Sequence, residues 1–559
     1  MNVLQKTGLA MATALALSPA LAADQPNILF LVAEDLSPRI GAWGDELAET
    51  PNIDKLVAKG VKYTNVYTAA GVSAPSRAAL ITGAHPNAIG AGGMRTSDYH
   101  HNGGTEYLSV PPAEVKAFPE LLREAGYWTY ENNKLDYQFS GPLPGQGPFT
   151  IWDAEGTNNT SLDWTAADKD KPWFGMYAYL ETHESGLLPR WEFDQPVTAA
   201  IMGIMQWKWH LGYESKVTPE DVIIPPYYPD TAGVRETIAQ QYNNVATMDT
   251  IVGDLLAKLE ADGEADDTII IWTTDHGDGF PRIKREGNNV SLQVPMTIYW
   301  PEKWRPAHLQ PGDVDEQIIS FIDMAPTILN MAGAEQPEFM IGNDFLQEGG
   351  GGREYYFAAA DRIEEAQERT RTVSDSNVKL IVNYRDVPGY QFSGFRSGMP
   401  MMASLLEEHE AGNLNEEQEQ FFKVRPREQF YDLGNDPYEL NNVIDDPAYA
   451  EDVARLRSQL AKWQEEVADY GLIPEKELAL QFWPDGIQPI TEPSEINVEG
   501  NTVTIVNPNP AASIGYRLDG GPWLLYSGPI TVADENQNII TKAVRYGWAE
   551  SEKTDILLP

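Results

Sequence analysis

Ser73, Pro75 and Arg77 fall together in the run Gly71-Val72-Ser73-Ala74-Pro75-Ser76-Arg77-Ala78-Ala79-Leu80-Ile81-Thr82-Gly83. Pro75 suits the first turn of a helix, and good helix formers follow it, so Ser73 falls at a helix N-terminus. There the unsatisfied N–H groups and the helix dipole favour negative charge. Arg77, one turn inside, can reach back to the same spot. An N-capping serine explains the same pattern, and on local physics alone it is the better explanation.

Other reactive groups follow short apolar runs. Glu34-Asp35 follows Ile28 to Ala33, Asn132-Asn133-Lys134 follows Trp128 to Tyr130, Thr182-His183-Glu184 follows Trp173 to Leu180, and Asp275-His276 follows Thr268 to Thr274. These runs read as buried strands. Helical patterns over residues 52–59, 118–125 and 234–259 alternate with them, which predicts an α/β sandwich with a mostly parallel central sheet. In open α/β sheets, ligands bind beyond the carboxyl ends of the strands. Four such ends could therefore converge on one site, or could be four unrelated surface loops.

A resemblance separates these alternatives. The Ser73 run resembles the signature of formylglycine-dependent (type I) sulfatases of the alkaline phosphatase superfamily: Cys or Ser, then x-Pro-Ser-Arg and Leu-x-Thr-Gly. The resemblance extends over roughly residues 25–470. It includes Asn27-Ile28-Leu29-Phe30 leading to Glu34-Asp35, Thr50-Pro51-Asn52-Ile53-Asp54-Lys55-Leu56, Asp275-His276-Gly277, Ile322-Asp323-Met324-Ala325-Pro326-Thr327, and Tyr431-Asp432-Leu433 with Asp436-Pro437 and Glu439. The Glu34 to Pro38 opening, the Met94-Arg95 pair and the Glu181 to Ser185 block are most similar to the branch of heparan N-sulfatases.

The resemblance implies that Ser73 is oxidised to formylglycine (3-oxoalanine), whose hydrate attacks sulfur and later expels sulfate by collapse to the aldehyde. It implies a divalent metal held by Glu34, Asp35, Asp275 and His276, together with residue 73. Three carboxylates suit Ca²⁺ or Mg²⁺, and the imidazole nitrogen keeps Mn²⁺ open; Ca²⁺ is the first expectation. Arg77, Lys134 and Lys284 match the family's positive groups, which stabilise charge developing in the transition state. His183 matches its proton donor to the leaving oxygen. Asp136 stands where the family often has a histidine. Arg95, Arg282 and Arg362 are candidates for substrate binding, with His100 and His101 behind them.

The remaining composition bounds these expectations. The chain has 559 residues, a formal net charge of −43 and no cysteine. No thiolate metal site, cysteine nucleophile or disulfide is possible. A serine precursor implies a serine-type maturase as partner. The acidic surface disfavours nucleic acid and anionic membranes, so a sulfated carbohydrate needs a local concentration of Lys and Arg. Arg77, Arg95, Lys134, Arg282, Lys284 and Arg285 supply one around the motifs.

Lys6, the apolar stretch 8–17 and Ala20-Leu21-Ala22 form an export signal over residues 1–22, which implies a periplasmic or secreted protein. After it no apolar run is long enough to span a bilayer, so no membrane insertion is expected. A catalytic domain is expected over residues 23–348, a smaller C-terminal α+β subdomain over 353–484, and a small all-β tail module over 488–559. The tail is similar to the β-domain at the C-terminus of some chitobiases. Its aromatics suit sugar stacking or, better, packing.

The activity implied is hydrolysis of sulfate esters on a saccharide, of marine polysaccharide or glycosaminoglycan type. Alternatives are a phosphonate monoester or phosphodiester hydrolase, a sulfamidase, and a sugar-binding protein without catalysis.

Overall fold

The computed structural model describes residues 25–94, 106–141, 144–156, 162–188, 216–349, 351–363, 368–390, 396–532 and 537–558. Residues 1–22, expected to form an export signal, and Arg95, His100 and His101 lie outside the described residues.

β1 (Asn27–Ala33) shows how the chain builds its centre. Successive strand side chains point to opposite faces. Ile28, Phe30 and Val32 therefore enter one core, and Leu29, Leu31 and Ala33 the other. All six are 0% exposed, so both faces are covered. Each large apolar side chain so buried contributes about 1.5–3 kcal/mol.

The other strands around β1 are β2 (Val61–Tyr67), β3 (Trp128–Asn132), β4 (Ala154–Gly156), β5 (Trp173–Tyr179), β6 (Thr268–Thr274), β7 (Gln293–Tyr299), β8 (Val314–Asp315) and β9 (Ile319–Ser320). Among the described residues they form a nine-stranded sheet in the order β4-β3-β5-β1-β6-β7-β2-β8, with β9 also paired to β2. Only the pairings of β7, with β6 and with β2, are antiparallel. The apolar runs do not predict β2, because Lys62, Thr64 and Asn65 interrupt its pattern.

Helices cover both faces. On one side lie α1 (Pro51–Lys59), through Ile53, Leu56 and Val57, and the long α4 (Ala232–Ala261), through Val245, Met248 and Val252. On the other lie α2 (Ser73–Thr82), α3 (Phe118–Glu124) and α5 (Met324–Met331). The result is an alkaline-phosphatase-like sandwich.

A second, antiparallel sheet joins β10 (Tyr356–Ala360), β11 (Thr370–Ser374), β12 (Val378–Asn383) and β13 (Glu428–Asp432). Helix α6 (Ala450–Glu466) packs on it through Val453, Leu456, Leu460 and Trp463. The tail folds as two small antiparallel sheets around Val503, Ile505, Val532 and Ile539. Its aromatics are engaged in packing. Trp523 meets Phe149 at 5.4 Å, Tyr526 meets Tyr516 at 6.3 Å, and Tyr546 enters the main core. No helix among the described residues is long and apolar enough to cross a membrane.

Candidate active site

β3, β5, β1 and β6 are consecutive in the sheet and mutually parallel, so their carboxyl ends lie along one edge. That edge carries Lys134, His183, Glu34-Asp35 and Asp275-His276. β2 is antiparallel to β7, which is antiparallel to β6, so β2 also ends there and delivers the Ser73 turn. The turn is tightly packed: a Cβ on Gly71 would collide with Ser291 Oγ and the Glu286 carbonyl. Asp35 and Asn133 adopt positive φ, +48° and +91°, an uncommon conformation for residues with side chains.

α2 begins at Ser73, and all ten of its residues are buried. Ser73 Oγ lies 3.2 Å from His276 Nε2 and 3.4 Å from Glu34 Oε2. His276 Nε2 is 3.1 Å from Asp35 Oδ1 and 3.8 Å from Asp275 Oδ1. The Asp35 backbone N–H donates to Asp275 Oδ1 at 3.0 Å, which ties the ends of β1 and β6 together. Arg77 and Lys134 both pair with Glu34. Lys284 Nζ sits 2.7 Å from Asp35 Oδ2 and 3.0 Å from Glu184 Oε1.

His183 Nδ1 accepts from the Ser185 backbone N–H at 3.3 Å. A neutral His183 therefore carries its proton on Nε2, which lies 4.0 Å from Asp35 Oδ2.

The charges set one another's protonation. Burial works to raise Glu34, but Arg77 and Lys134 outweigh it and hold its pKa at about 2. Burial likewise opposes ionisation of Asp35, while Lys284, His183 and His276 bring it well below the usual range. Burial and then the Glu34 charge push Asp275 up. Burial pushes His183 down to about 4, so it is neutral at pH 7.

Two overlapping groups could hold a metal ion: Glu34, Asp35 and His183, and Asp35, Asp275 and His276. The donor set fits a divalent cation. Asp275 Oδ2 is a buried carboxylate oxygen that accepts no hydrogen bond. Its nearby Arg77 Nε stands off at 3.5 Å. Hard oxygen donors plus one or two imidazoles suit Ca²⁺, Mg²⁺ or Mn²⁺.

Ser73, Arg77, Lys134, His183, Lys284, Glu34, Asp35, Asp275 and His276 are thus brought together. Arg282 is turned elsewhere: its guanidinium donates to the carbonyls of Tyr438 and Glu439 at 2.9 and 3.1 Å and lies over the Tyr227 ring. Arg362 pairs with Glu475 and lines a separate pocket. Asp136 is buried.

Three more residues join this network: Glu184, which the sequence marked only as part of the Thr182-His183-Glu184 run and without a role, and Glu131 and Arg396, which it did not mark. Glu184 bridges Lys284 and Arg396, the latter at 3.1 Å, and Arg396 also holds the Gly279 carbonyl at 3.0 Å. Glu131 Oε1 accepts from the Lys134 backbone N–H at 3.0 Å, and burial pushes its pKa up to about 8. A charged residue directly after or within a strand was the available signal for Glu184 and Glu131. Arg396 had none.

A helix-covered, mostly parallel sheet, with a serine hydroxyl at a helix N-terminus beside carboxylates and cations, fits an alkaline-phosphatase-like hydrolase of anionic esters. A model of the sulfatase family matches residues 26–334, and one of the N-sulphoglucosamine sulphohydrolase C-terminal region matches residues 283–425. An ulvan-active sulfatase of Formosa agariphila is 36% identical over 90% of this chain and 87% of its own. The human N-sulphoglucosamine sulphohydrolase is 26% identical over 79% of this chain and 90% of its own. A solved structure of a protein in complex with its substrate D-glucosamine-2-N,6-O-disulfate shares the fold. It has a TM-score of 0.53 and 20% identity, over 80% of this chain and 98% of that one. The chain belongs to the sulfatase family and is a sulfuric ester hydrolase.

Proposed function

We propose that this sulfatase removes O-sulfate groups from an anionic polysaccharide, with residue 73 acting as formylglycine and one divalent cation in the Glu34, Asp35, Asp275 and His276 cluster. The observation that carries this is Ser73 Oγ, 3.2 Å from His276 at the N-terminus of α2, inside a ring of three carboxylates and three cations. Formylglycine at residue 73 would supply the oxygen that attacks sulfur, and a divalent cation held by Glu34, Asp35, Asp275 and His276 would supply positive charge.

The chain's own residues do the rest. Arg77 and Lys134 hold Glu34 ionised and set positive charge beside residue 73. Lys284 faces the other side of the cluster through Asp35, where it can meet a sulfate oxygen. His183 presents Nε2–H toward the site, where it can donate to the departing sugar oxygen.

The saccharide class is supported by the relative that is ulvan-active and by the neighbour bound to a sulfated glucosamine. Calcium is the first choice of metal by donor hardness, and a serine-type maturase is the required partner. The residue 1–22 export signal suits a periplasmic or secreted enzyme. Sulfamate hydrolysis is a second reading, favoured by the match to the sulphohydrolase C-terminal region.

The test is sulfate release from a panel of defined O- and N-sulfated oligosaccharides, with mass spectrometry of the Ser73 peptide from native cells. Turnover of O-sulfates with loss of two hydrogens at residue 73 is expected. Full activity with an unmodified serine would overturn the mechanism. Faster cleavage of phosphodiesters than of every sulfate would overturn the substrate class.

A further inference from the structure

Three consecutive carbonyls in the short helical turn Asn289–Leu292 receive the three segments that carry the site. The Val290 carbonyl accepts from Ser37 Oγ at 2.9 Å, just past Glu34-Asp35. The Ser291 carbonyl accepts from the Gly277 N–H at 2.8 Å, next to Asp275-His276. The Leu292 carbonyl accepts from the Thr68 N–H at 2.8 Å, on the approach to Ser73. The fit is close: a Cβ on Gly277 would collide with the Val290 carbonyl, and one on Gly71 with Ser291 Oγ. A shift of this turn is therefore passed to Glu34-Asp35, Asp275-His276 and residue 73 together.

The C-terminal subdomain holds the turn from the other side. Glu439 Oε2 accepts from the Asn289 N–H at 2.8 Å, and the Tyr356 hydroxyl donates to Asn289 Oδ1 at 2.9 Å. Glu439 also grips the far end of the loop that carries Lys284, because its carbonyl accepts from the Arg282 guanidinium at 3.1 Å. It does so at φ +53°, an uncommon conformation for a residue with a side chain.

The second carboxylate oxygen, Glu439 Oε1, lies 2.6 Å from Lys379 Nζ on β12. Lys379 is 0% exposed and Glu439 2%, so the pair is out of water. Desolvation cancels much of what such a pair gains, so stability alone does not account for it. Its fixed geometry does: it aims Oε2 at the first N–H of the turn.

We propose that Glu439 is a positioning residue for sulfate release, which fixes the Asn289–Leu292 turn through the Asn289 N–H and so sets His276 against Ser73, with Lys379 holding Glu439 in place. The inference rests on the assignment of Ser73 and His276 above. Without this acceptor the Asn289 N–H turns to water, and the 3.2 Å approach of Ser73 Oγ to His276 Nε2 is no longer enforced. Small misplacements of this kind lower turnover even when they originate away from the chemistry.

Two double variants separate the acceptor from the charge pair. Lys379→Met with Glu439→Gln removes both charges, while the Gln amide oxygen still accepts from Asn289. Lys379→Met with Glu439→Leu removes both charges and the acceptor. Buried ion pairs tolerate apolar replacement, so both chains are expected to fold, and denaturant midpoints check that they match. Turnover of the O-sulfated oligosaccharide that the unsubstituted enzyme cleaves fastest is normalised to the modified fraction of the Ser73 peptide. The Leu variant is expected to lose about tenfold in kcat with KM little changed, and the Gln variant to retain kcat within about twofold.

A second readout needs no turnover. Whichever of Ca²⁺, Mg²⁺ or Mn²⁺ raises the melting temperature of the unsubstituted protein most should do so in the Gln variant and do so less in the Leu variant. The proposal fails if the two variants share one kcat, if the loss lies in KM alone, or if the cation shifts both equally. Should the Leu variant not fold, Glu439→Asp draws the carboxylate back by a methylene and is expected to lower kcat likewise; an unchanged kcat there overturns the proposal. Sulfate release by Ser73→Ala protein would refute the site assignment itself, whereas equal variants of a Ser73-dependent enzyme refute only the role of Glu439.

Discussion

Tyr546 of the tail module stacks on Phe139 of the catalytic sandwich, with ring centroids 5.2 Å apart and 12° between planes. Tyr546 is 0% exposed, and its hydroxyl donates to Glu120 Oε2 at 2.8 Å. Phe139 lies on the same buried loop as Lys134, so the tail braces a chain segment that supplies a cation to the cluster.

Tyr546→Ala should therefore destabilise the whole sandwich by about 3–5 kcal/mol, the cost of emptying a large buried aromatic site. Tyr546→Phe, which keeps the stack and loses the hydroxyl's bonds to Glu120 and to the Ala117 N–H, should cost about 1–2 kcal/mol. Denaturant midpoints measure both. Equal losses for the two variants would show that the stack contributes nothing.

Glu184 holds two buried cations, Lys284 and Arg396, while its own N–H donates to Asp35 Oδ2 at 2.8 Å. Burial opposes its charge, yet Lys284 and Arg396 hold its pKa at about 2. Glu184→Gln keeps the shape and removes the charge. It should lower kcat about tenfold, ~1.4 kcal/mol of barrier, by letting Lys284 settle on Asp35 alone. Glu184→Ala should also cost about 3–5 kcal/mol of stability, because it leaves two buried cations short of a partner. Steady-state kinetics with matched circular dichroism separates the two effects.

Chelation should lower the melting temperature as well as abolish sulfate release. Buried carboxylates crowd the cluster, and Asp275 in particular is pushed up by burial and by Glu34. A cation bound there at a hundred times its dissociation constant stabilises the fold by about 2.7 kcal/mol. Melting curves with chelator, then with Ca²⁺, Mg²⁺ or Mn²⁺ restored singly, measure the effect and rank the metals. Identical curves throughout would contradict a resident cation.

His85 is buried against Trp463, at 5.0 Å and 84°, and burial pushes its pKa down to about 3. The folded state therefore holds His85 neutral where the unfolded chain binds a proton. Its contribution is intact above about pH 6.5 and is lost progressively as the pH falls toward about 3. At pH 4.5 the loss amounts to about 2–3 kcal/mol. Replacing His85 with Gln should flatten that part of the acid-side stability profile, as read from denaturant midpoints between pH 7 and 4.5. An unchanged slope would show that His85 is not what titrates.

The sequence alone determined the parts that depend on short-range pattern. Unbroken apolar runs such as Thr268 to Thr274 mark strands covered on both faces, and Pro75 marks the start of α2. Reactive groups directly after such strands share an edge once the strands are parallel, which made Glu34, Asp35, Lys134, His183, Asp275 and His276 legible together. β2 was not legible, because its inward residues alternate with polar ones.

Only the tertiary structure decided which distant side chains became partners. Arg396 reaches Glu184, Tyr546 reaches Phe139, and Arg371 pairs with both Asp361 and Asp469. Nor does spacing show that Arg282 turns to the carbonyls of Tyr438 and Glu439 although Lys284, two residues on, faces Asp35. Such pairings join residues far apart along the chain. They are settled by how the sheets and helices pack and by the cost of burying a charge without a partner, and local spacing carries no record of either.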